Sequence, residues 1–226
     1  MKVIIFGATG MVGQGVLREC LRDAEVERVL LIGRNATGAQ DRKITEIVHP
    51  ELTDFSGIEE QLAGYDACFF CLGVSSAGMN EADYRRVTYD ITLAAAGALV
   101  RVSPGMTFIY VSGSGTDSSG KGRVMWARVK GGKENALLAL PFRAAYMFRP
   151  GYIQPLHGIK SKTKLYAAIY ALVGPLYPLL KALFPKYVVT TEELARAMIS
   201  MAKHGAAKRV LENTDIPGLS ETHQGK

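Results

Sequence analysis

Seven residues near the start of the chain constrain its fold more than any other stretch: Gly7-Ala8-Thr9-Gly10-Met11-Val12-Gly13. Before them comes Val3-Ile4-Ile5-Phe6, a β-branched run that reads as a buried strand. After them Val12, Val16, Leu17, Cys20 and Leu21 fall at helical spacing. A glycine turn between strand and helix leaves backbone N–H groups free at the positive end of the helix dipole, where they can hold a pyrophosphate. Gly7 permits the tight turn, Gly10 lets a phosphate approach the backbone, and Gly13 lets the helix pack close to the sheet. All seven residues are therefore expected to bind a dinucleotide.

The rest of the chain continues the pattern. Apolar runs at 29–32, 44–48, 67–72, 107–111 and 144–148 read as further strands. Helices are expected at 58–63, 82–100 and 123–140 between them. Continuous rather than alternating apolar strands, separated by helices, indicate a parallel sheet covered on both faces. The expected fold is α/β, a Rossmann-type doubly wound parallel sheet with a small C-terminal helical substrate or lid lobe. Residues 1–226 form a single domain in this reading, with 152–190 as a lid-like insertion and 191–226 completing the fold. Helical periodicity returns at 191–204, with Thr190 or Thr191 as its cap, a short strand follows at 209–211, and 220–226 read as frayed.

Charge and cysteine content narrow the partners. Lys and Arg outnumber Asp and Glu by 27 to 21 in 226 residues, a diffuse surplus that suits phosphate-bearing ligands without making nucleic acid a partner. Three cysteines, Cys20, Cys68 and Cys71, fit a reducing compartment, and the short apolar run at the terminus is no signal peptide, so the expected location is cytoplasmic. Cys68-Phe69-Phe70-Cys71 has redox-motif spacing, but within a strand the two thiols point to opposite faces and read as structural. His49, His157, His204 and His223 lack metal-ligand spacing, so no metal is expected; His157 reads as a loop residue, with a place in the substrate pocket as the other option. The uncharged stretch 165–180 is broken by Gly174, Pro175 and Pro178 and flanked by lysines. It reads as a lid or subunit contact in preference to a membrane-surface segment.

A site selective for NAD usually ends its second strand with an acid that binds the ribose hydroxyls. Here Gly33-Arg34 stands at that point and no carboxylate follows until Asp41. An arginine there pairs with a 2′-phosphate, so NADP is favoured over NAD.

These motifs, with Leu31-Ile32-Gly33-Arg34, Cys71-Leu72-Gly73, Val129-Lys130-Gly131 and Phe148-Arg149-Pro150-Gly151, are similar to those of the short-chain dehydrogenase/reductases. The resemblance is to their atypical and extended, epimerase-like branches, and especially to the Tat-interacting-protein oxidoreductase-like group. It covers the chain to about residue 153 and returns at Leu211-Glu212-Asn213. It implies that Glu51 and Leu52 lie beside the adenine, that Leu72, Gly73 and Val74 pass under the cofactor ribose, and that Pro150, Gly151 and Tyr152 lie near the nicotinamide amide. It also implies a substrate-orienting hydroxyl at Ser112 or Ser114, with Gly113 between them, and a ribose-binding Lys130.

One departure stands out. The reductases of this family carry Tyr-x-x-x-Lys on the following helix, where the lysine lowers the phenol's pKa and the phenol passes a proton to or from the substrate. This chain reads Trp126-Ala127-Arg128-Val129-Lys130. An indole donates a hydrogen bond but has no useful pKa for acid–base work. Tyr84, Tyr89, Tyr110, Tyr146 and Tyr152 are the candidate replacements. The reading that follows is an NADP(H)-dependent oxidoreductase or epimerase-like enzyme acting on a small carbonyl or alcohol through Lys130 and Ser112 or Ser114. The alternatives are a non-catalytic NADP(H)-sensing protein and, behind it, a membrane-peripheral one.

Overall fold

The short apolar runs become the strands of one sheet. The computed structural model describes residues 1–160, 174 and 177–221. Its strands are β1 (Lys2–Phe6), β2 (Arg28–Gly33), β3 (Ile44–Val48), β4 (Ala67–Phe70), β5 (Thr107–Val111), β6 (Ala144–Arg149), β7 (Tyr152–Gln154), β8 (Val188–Thr190) and β9 (Val210–Glu212). Seven of them pair in parallel in the order β3-β2-β1-β4-β5-β6-β9. This is the doubly wound order, and it reverses direction between β1 and β4, which opens a crevice beyond their C-terminal ends.

Each strand feeds two cores. Val3 and Ile5 of β1, Val29 and Leu31 of β2, and Ala67 and Phe69 of β4 point to one face. Ile4 and Phe6, Leu30 and Ile32, and Cys68 and Phe70 point to the other. The period of two sends alternate residues to opposite faces, and both are apolar because both are covered. Helix α1 (Met11–Arg22) covers the first face with a helix at Thr191–His204. The second is covered by α3 (Ile91–Val102), α4 (Met125–Ala139) and a 3-10 turn at Ser56–Leu62, and the short α2 (Glu81–Arg85) precedes α3 in the chain. Two further helices, α5 (Tyr177–Leu183) and α6 (Thr191–His204), lead to the terminal α7 (Ile216–Glu221). Thr190 caps α6 with a full capping box: its Oγ1 accepts from Glu193 N at 2.9 Å, and Glu193 Oε2 accepts from Thr190 N at 2.8 Å.

Several expectations need correction. The helix expected over 82–100 is interrupted by a π turn, Arg86–Asp90. There the carbonyl of Thr88 accepts both the Thr92 hydroxyl, at 2.7 Å, and the Lys133 ammonium, at 3.2 Å; a side chain reaching the helix ladder in this way is a recognised cause of such irregularity. The helix expected over 58–63 is the 3-10 turn, and β4 ends at Phe70, two residues early. The C-terminal lobe is not purely helical, because β7 and β8, at the two ends of 152–190, pair in parallel with Tyr152 opposite Val188. Ser220, expected to fray, is buried in α7, and its Oγ donates to Pro217 O at 2.7 Å. Most of the apolar stretch 165–180 and residues 222–226 lie outside the described residues. No helix among the described residues is long and apolar enough to cross a membrane.

Candidate active site

The glycine turn lies at the reversal point of the sheet. Gly7 has φ +80°, and a Cβ there would stand 2.9 Å from the Cys71 carbonyl carbon and the Leu72 nitrogen. The chain leaving β1 therefore touches the chain leaving β4, and only glycine allows it. Gly10 N donates to Gly7 O at 2.9 Å, closing the turn, and Gln14 N donates to Gly10 O at 2.9 Å, opening α1. A Cβ on Gly13 would fall 2.1 Å from Gly7 O, so α1 packs directly onto the turn; at Gly10 the nearest atom would be Gly7 O at 3.3 Å.

The start of α1 suits an anion. Helix geometry leaves Met11, Val12 and Gly13 without carbonyl partners a turn earlier. Gly10 offers no side-chain cap, and the first turn holds no acidic residue. Negative charge is favoured at such an end, so these residues fit the pyrophosphate of a dinucleotide.

A cleft of about 450 Å³, counting space open to solvent, continues from this turn over the end of β2. It is lined by Gly7, Ala8, Thr9, Gly33, Arg34, Leu52 and Leu72, among others. Arg34 is exposed at its rim, and no hydrogen bond or ion pair holds its guanidinium among the described residues. Leu52 is buried in the wall. Glu51 lies outside the lining: its carboxylate accepts from the Thr53 backbone at 2.9 Å and from the Thr53 hydroxyl, contacts that pull its pKa down. Glu46 also lines the cleft, from the middle of β3, and its Oε1 accepts from Thr37 N at 2.8 Å. The sequence reading looked for an acid at the strand end and passed over it. Beyond Leu72, a Cβ on Gly73 would meet nothing within 4 Å, and Val74 is exposed, so the chain after β4 borders open space.

The second half of the site lies beyond β5. Lys130 is half-buried, and its Nζ donates to Ser112 O at 2.9 Å. Burial lowers its pKa to about 8 against an opposing pull from Glu134. Trp126 stands on the same helical face, its ring centroid 5.8 Å from Lys130 Nζ. The indole also lies 3.6 Å from where a Cβ on Gly115 would be, so it occupies the space between the lysine and the loop after β5.

Of the two serines, Ser112 is buried and Ser114 exposed. Ser112 Oγ lies 3.0 Å from Thr116 Oγ1, whose own proton goes to Gly113 O at 2.7 Å, so Ser112 is the donor in that pair. Ser114 instead gives its backbone N–H to Pro150 O at 2.9 Å. Gly131 makes this arrangement possible, since a Cβ there would sit 1.8 Å from Asp117 O where the loop crosses α4.

Arg149, Pro150 and Gly151 form a tied corner. Buried Glu134 accepts from Arg149 Nε at 3.1 and 3.2 Å, and Glu212 of β9 accepts from Arg149 Nη1 at 3.0 Å. Asn213 accepts from Gly151 N at 2.7 Å and donates to Lys186 O at 2.9 Å. Gly151 leaves room for Tyr187, whose carbonyl oxygen would be 2.6 Å from a Cβ. Asn213 thus shapes the wall beyond β6, a role its sequence position did not announce. His157 lies apart, at φ +57°, with its Nε2 2.5 Å from Glu192 Oε2. Cys68 and Cys71 face opposite cores, and burial raises both thiols, Cys71 to about 12.

A family profile described as NAD(P)H-binding matches residues 7–137. "Protein FMP52, mitochondrial" of Meyerozyma guilliermondii is 26% identical over 208 residues, covering 89% of this chain and 85% of that protein. "Protein HTATIP2" of Rattus norvegicus is 30% identical over 155 residues, 67% of this chain and 62% of that one. Among solved structures, an oxidoreductase of the short-chain dehydrogenase/reductase family from Burkholderia thailandensis superposes with a TM-score of 0.67 at 17% identity, covering 99% and 95% of the two chains. The ADP-L-glycero-D-manno-heptose-6-epimerase of Helicobacter pylori gives a TM-score of 0.67 at 15% identity, over 100% and 83%.

Proposed function

Since the chain belongs to the NAD(P)H-binding family, we propose that it is an atypical, epimerase-like short-chain dehydrogenase/reductase, an NADP(H)-preferring oxidoreductase for a small carbonyl or alcohol, with its usual proton donor replaced. The observation that carries this reading is the acid-free, uncapped start of α1 behind the glycine turn, with Arg34 at the rim of the adjoining cleft and unpaired among the described residues. In this reading the turn holds the pyrophosphate, Arg34 meets the 2′-phosphate, Leu52 packs on the adenine and Lys130 binds the nicotinamide ribose. The Pro150–Gly151 corner borders the nicotinamide. The bound cofactor supplies hydride chemistry, and the chain supplies orientation and proton transfer. The three free thiols suit a reducing compartment such as the cytoplasm.

Trp126 supports a second reading, a non-catalytic protein that senses NADP(H). Its indole, with the ring centroid 5.8 Å from Lys130 Nζ, takes the sequence position of the family's phenol. Calorimetry of the whole chain with NADPH and NADH tests the common premise: NADPH is expected to bind more tightly, and failure of both to bind would refute it. NADPH consumption across a set of small aldehydes and ketones then separates enzyme from sensor.

A further inference from the structure

Each of the five tyrosines that sequence offers as substitutes for the missing phenol is buried or engaged in contacts of its own. Tyr110 and Tyr84 are almost fully buried, and burial pushes Tyr110 well above the ordinary phenol range. Tyr146 bonds the backbone of Ala206 through its hydroxyl, at 3.1 and 2.9 Å. Tyr89 lies under the Arg85 guanidinium, 3.8 Å from its ring centroid. Tyr152 donates to Gln154 Oε1 at 2.9 Å, and burial raises it too.

Among the described residues, the titratable side chain that stands beside Trp126 and Ser112 is Lys130. Resting on the oxidoreductase reading, we propose that Lys130 itself is the proton donor and acceptor for the substrate oxygen, in place of a phenol on its helical face.

The geometry suits the role. An ammonium has three N–H donors. One is spent on Ser112 O, at 2.9 Å, leaving two for a ribose hydroxyl and a substrate oxygen. No carboxylate forms an ion pair with Lys130 among the described residues. On its own helix the acid within electrostatic reach is Glu134, which is fully buried and held by Arg149 of β6. Strand β5 and its loop present Tyr110 and Ser112, and Trp126 adds an apolar wall.

One turn further along α4 is a second lysine, Lys133, 1% exposed. Its direct contacts are neutral, Thr88 O at 3.2 Å, Thr92 Oγ1 at 3.4 Å and the Tyr110 ring, whose centroid is 4.1 Å away, while Lys130 and the opposing carboxylate of Glu134 act on it through their charges. Burial, and then the charge of Lys130, drives Lys133 toward its neutral form. The compartment therefore favours a single proton, held on Lys130 at the open end, where burial, opposed by the charge of Glu134, brings the ammonium to about 8. An acid with a pKa near working pH is the effective one.

The step balances simply. In reduction, hydride from NADPH adds to the carbonyl carbon and the C=O electron pair moves to oxygen. Lys130 gives that oxygen its proton and regains one from solvent. Oxidation reverses each transfer.

The test has two readouts on the full chain. Lysines carrying ¹³C-methyl groups are titrated by NMR, with Lys130→Arg identifying the resonance. In parallel, NADPH oxidation by a set of small aldehydes and ketones is followed against pH. Lys130 is expected to titrate near 8, with the reduction rate falling roughly tenfold per pH unit above it. Lys130→Arg, which keeps the charge and cannot deprotonate, is expected to lose both the pH dependence and most of the rate at saturating NADPH. A Lys130 resonance titrating in the ordinary lysine range, no wild-type turnover, or an unchanged pH profile in Lys130→Arg would each overturn the proposal. Loss of NADPH binding by the wild-type chain would instead remove the oxidoreductase reading beneath it.

Discussion

Replacing Arg34 with alanine should separate the two cofactors. Arg34 stands exposed at the cleft rim with its guanidinium uncommitted among the described residues. Two unit charges 4 Å apart attract by roughly 4 kcal/mol at an effective dielectric of 20 and about 1 kcal/mol in bulk water. An exposed rim lies toward the watery limit, so the loss should sit at the low end for a charged hydrogen bond, about 1.5 kcal/mol. That predicts about tenfold weaker NADPH binding in Arg34→Ala, with NADH changed by less than about threefold. Glu46 supplies the complementary test, since its carboxylate faces the same cleft while holding Thr37 N. Glu46→Gln keeps that acceptor and removes the charge, so it should tighten NADPH and weaken NADH. Isothermal calorimetry at two ionic strengths measures all of this, and the NADPH advantage should shrink with salt as the Debye length falls from about 10 Å at 0.1 M to about 3 Å at 1 M. Equal losses for both cofactors in Arg34→Ala, or none for either, would refute the assignment of Arg34 to the 2′-phosphate.

Three other outcomes follow from positions described above. Gly10→Val should leave a folded chain that no longer binds NADPH by calorimetry, because its Cβ would meet only Gly7 O at 3.3 Å; Gly13→Val, meeting the same oxygen at 2.1 Å, should also lower the melting temperature. Trp126→Tyr, which restores a phenol beside Lys130, should raise NADPH-dependent reduction of small aldehydes above a slow wild-type rate by up to about 10²–10⁴-fold, read at 340 nm; no gain would argue that Trp126 does not occupy the donor position. Glu134→Ala should cost about 3–5 kcal/mol in urea unfolding, since it strands the largely buried Arg149 guanidinium. A loss under about 1 kcal/mol would show that Glu212 and Ser118 suffice to hold it.

The first half of the site was legible because its chemistry is backbone chemistry. Gly7, Gly10 and Gly13 mark places where a side chain cannot fit, and spacing between an apolar strand and an apolar helix is visible without knowing the fold. The ends of β5 and α6 were legible because apolar residues stop where burial stops. What escaped depends on partners distant in sequence. The π turn at Arg86–Asp90 keeps a helix-like apolar spacing, and its irregularity coincides with Lys133, 45 residues from Thr88. Strands β7 and β8 are three residues each, too short for a period to register, and they pair across most of the segment between β6 and α6. Glu46 was hidden because it projects from mid-strand, and Ser112 was separable from Ser114 only through Thr116, Lys130 and Pro150.

Strand β9 has a consequence for how the chain is made. Synthesis runs from the N-terminus, and domains commonly begin to fold during it. The glycine turn, its helix and the first six strands are all present before residues 210–212 exist. Until then the outer edge of β6 has no neighbour, although in the finished sheet Met147, Phe148 and Arg149 face Val210, Leu211 and Glu212. An unpaired apolar edge of that kind is a template for association between nascent chains. The same three residues deliver Glu212 to Arg149 and lead into Asn213, which fixes Gly151. Premature termination before position 210 would therefore yield a chain with an intact phosphate loop, an open sheet and an untied far wall, and its expected fate in the cell is aggregation or proteolysis.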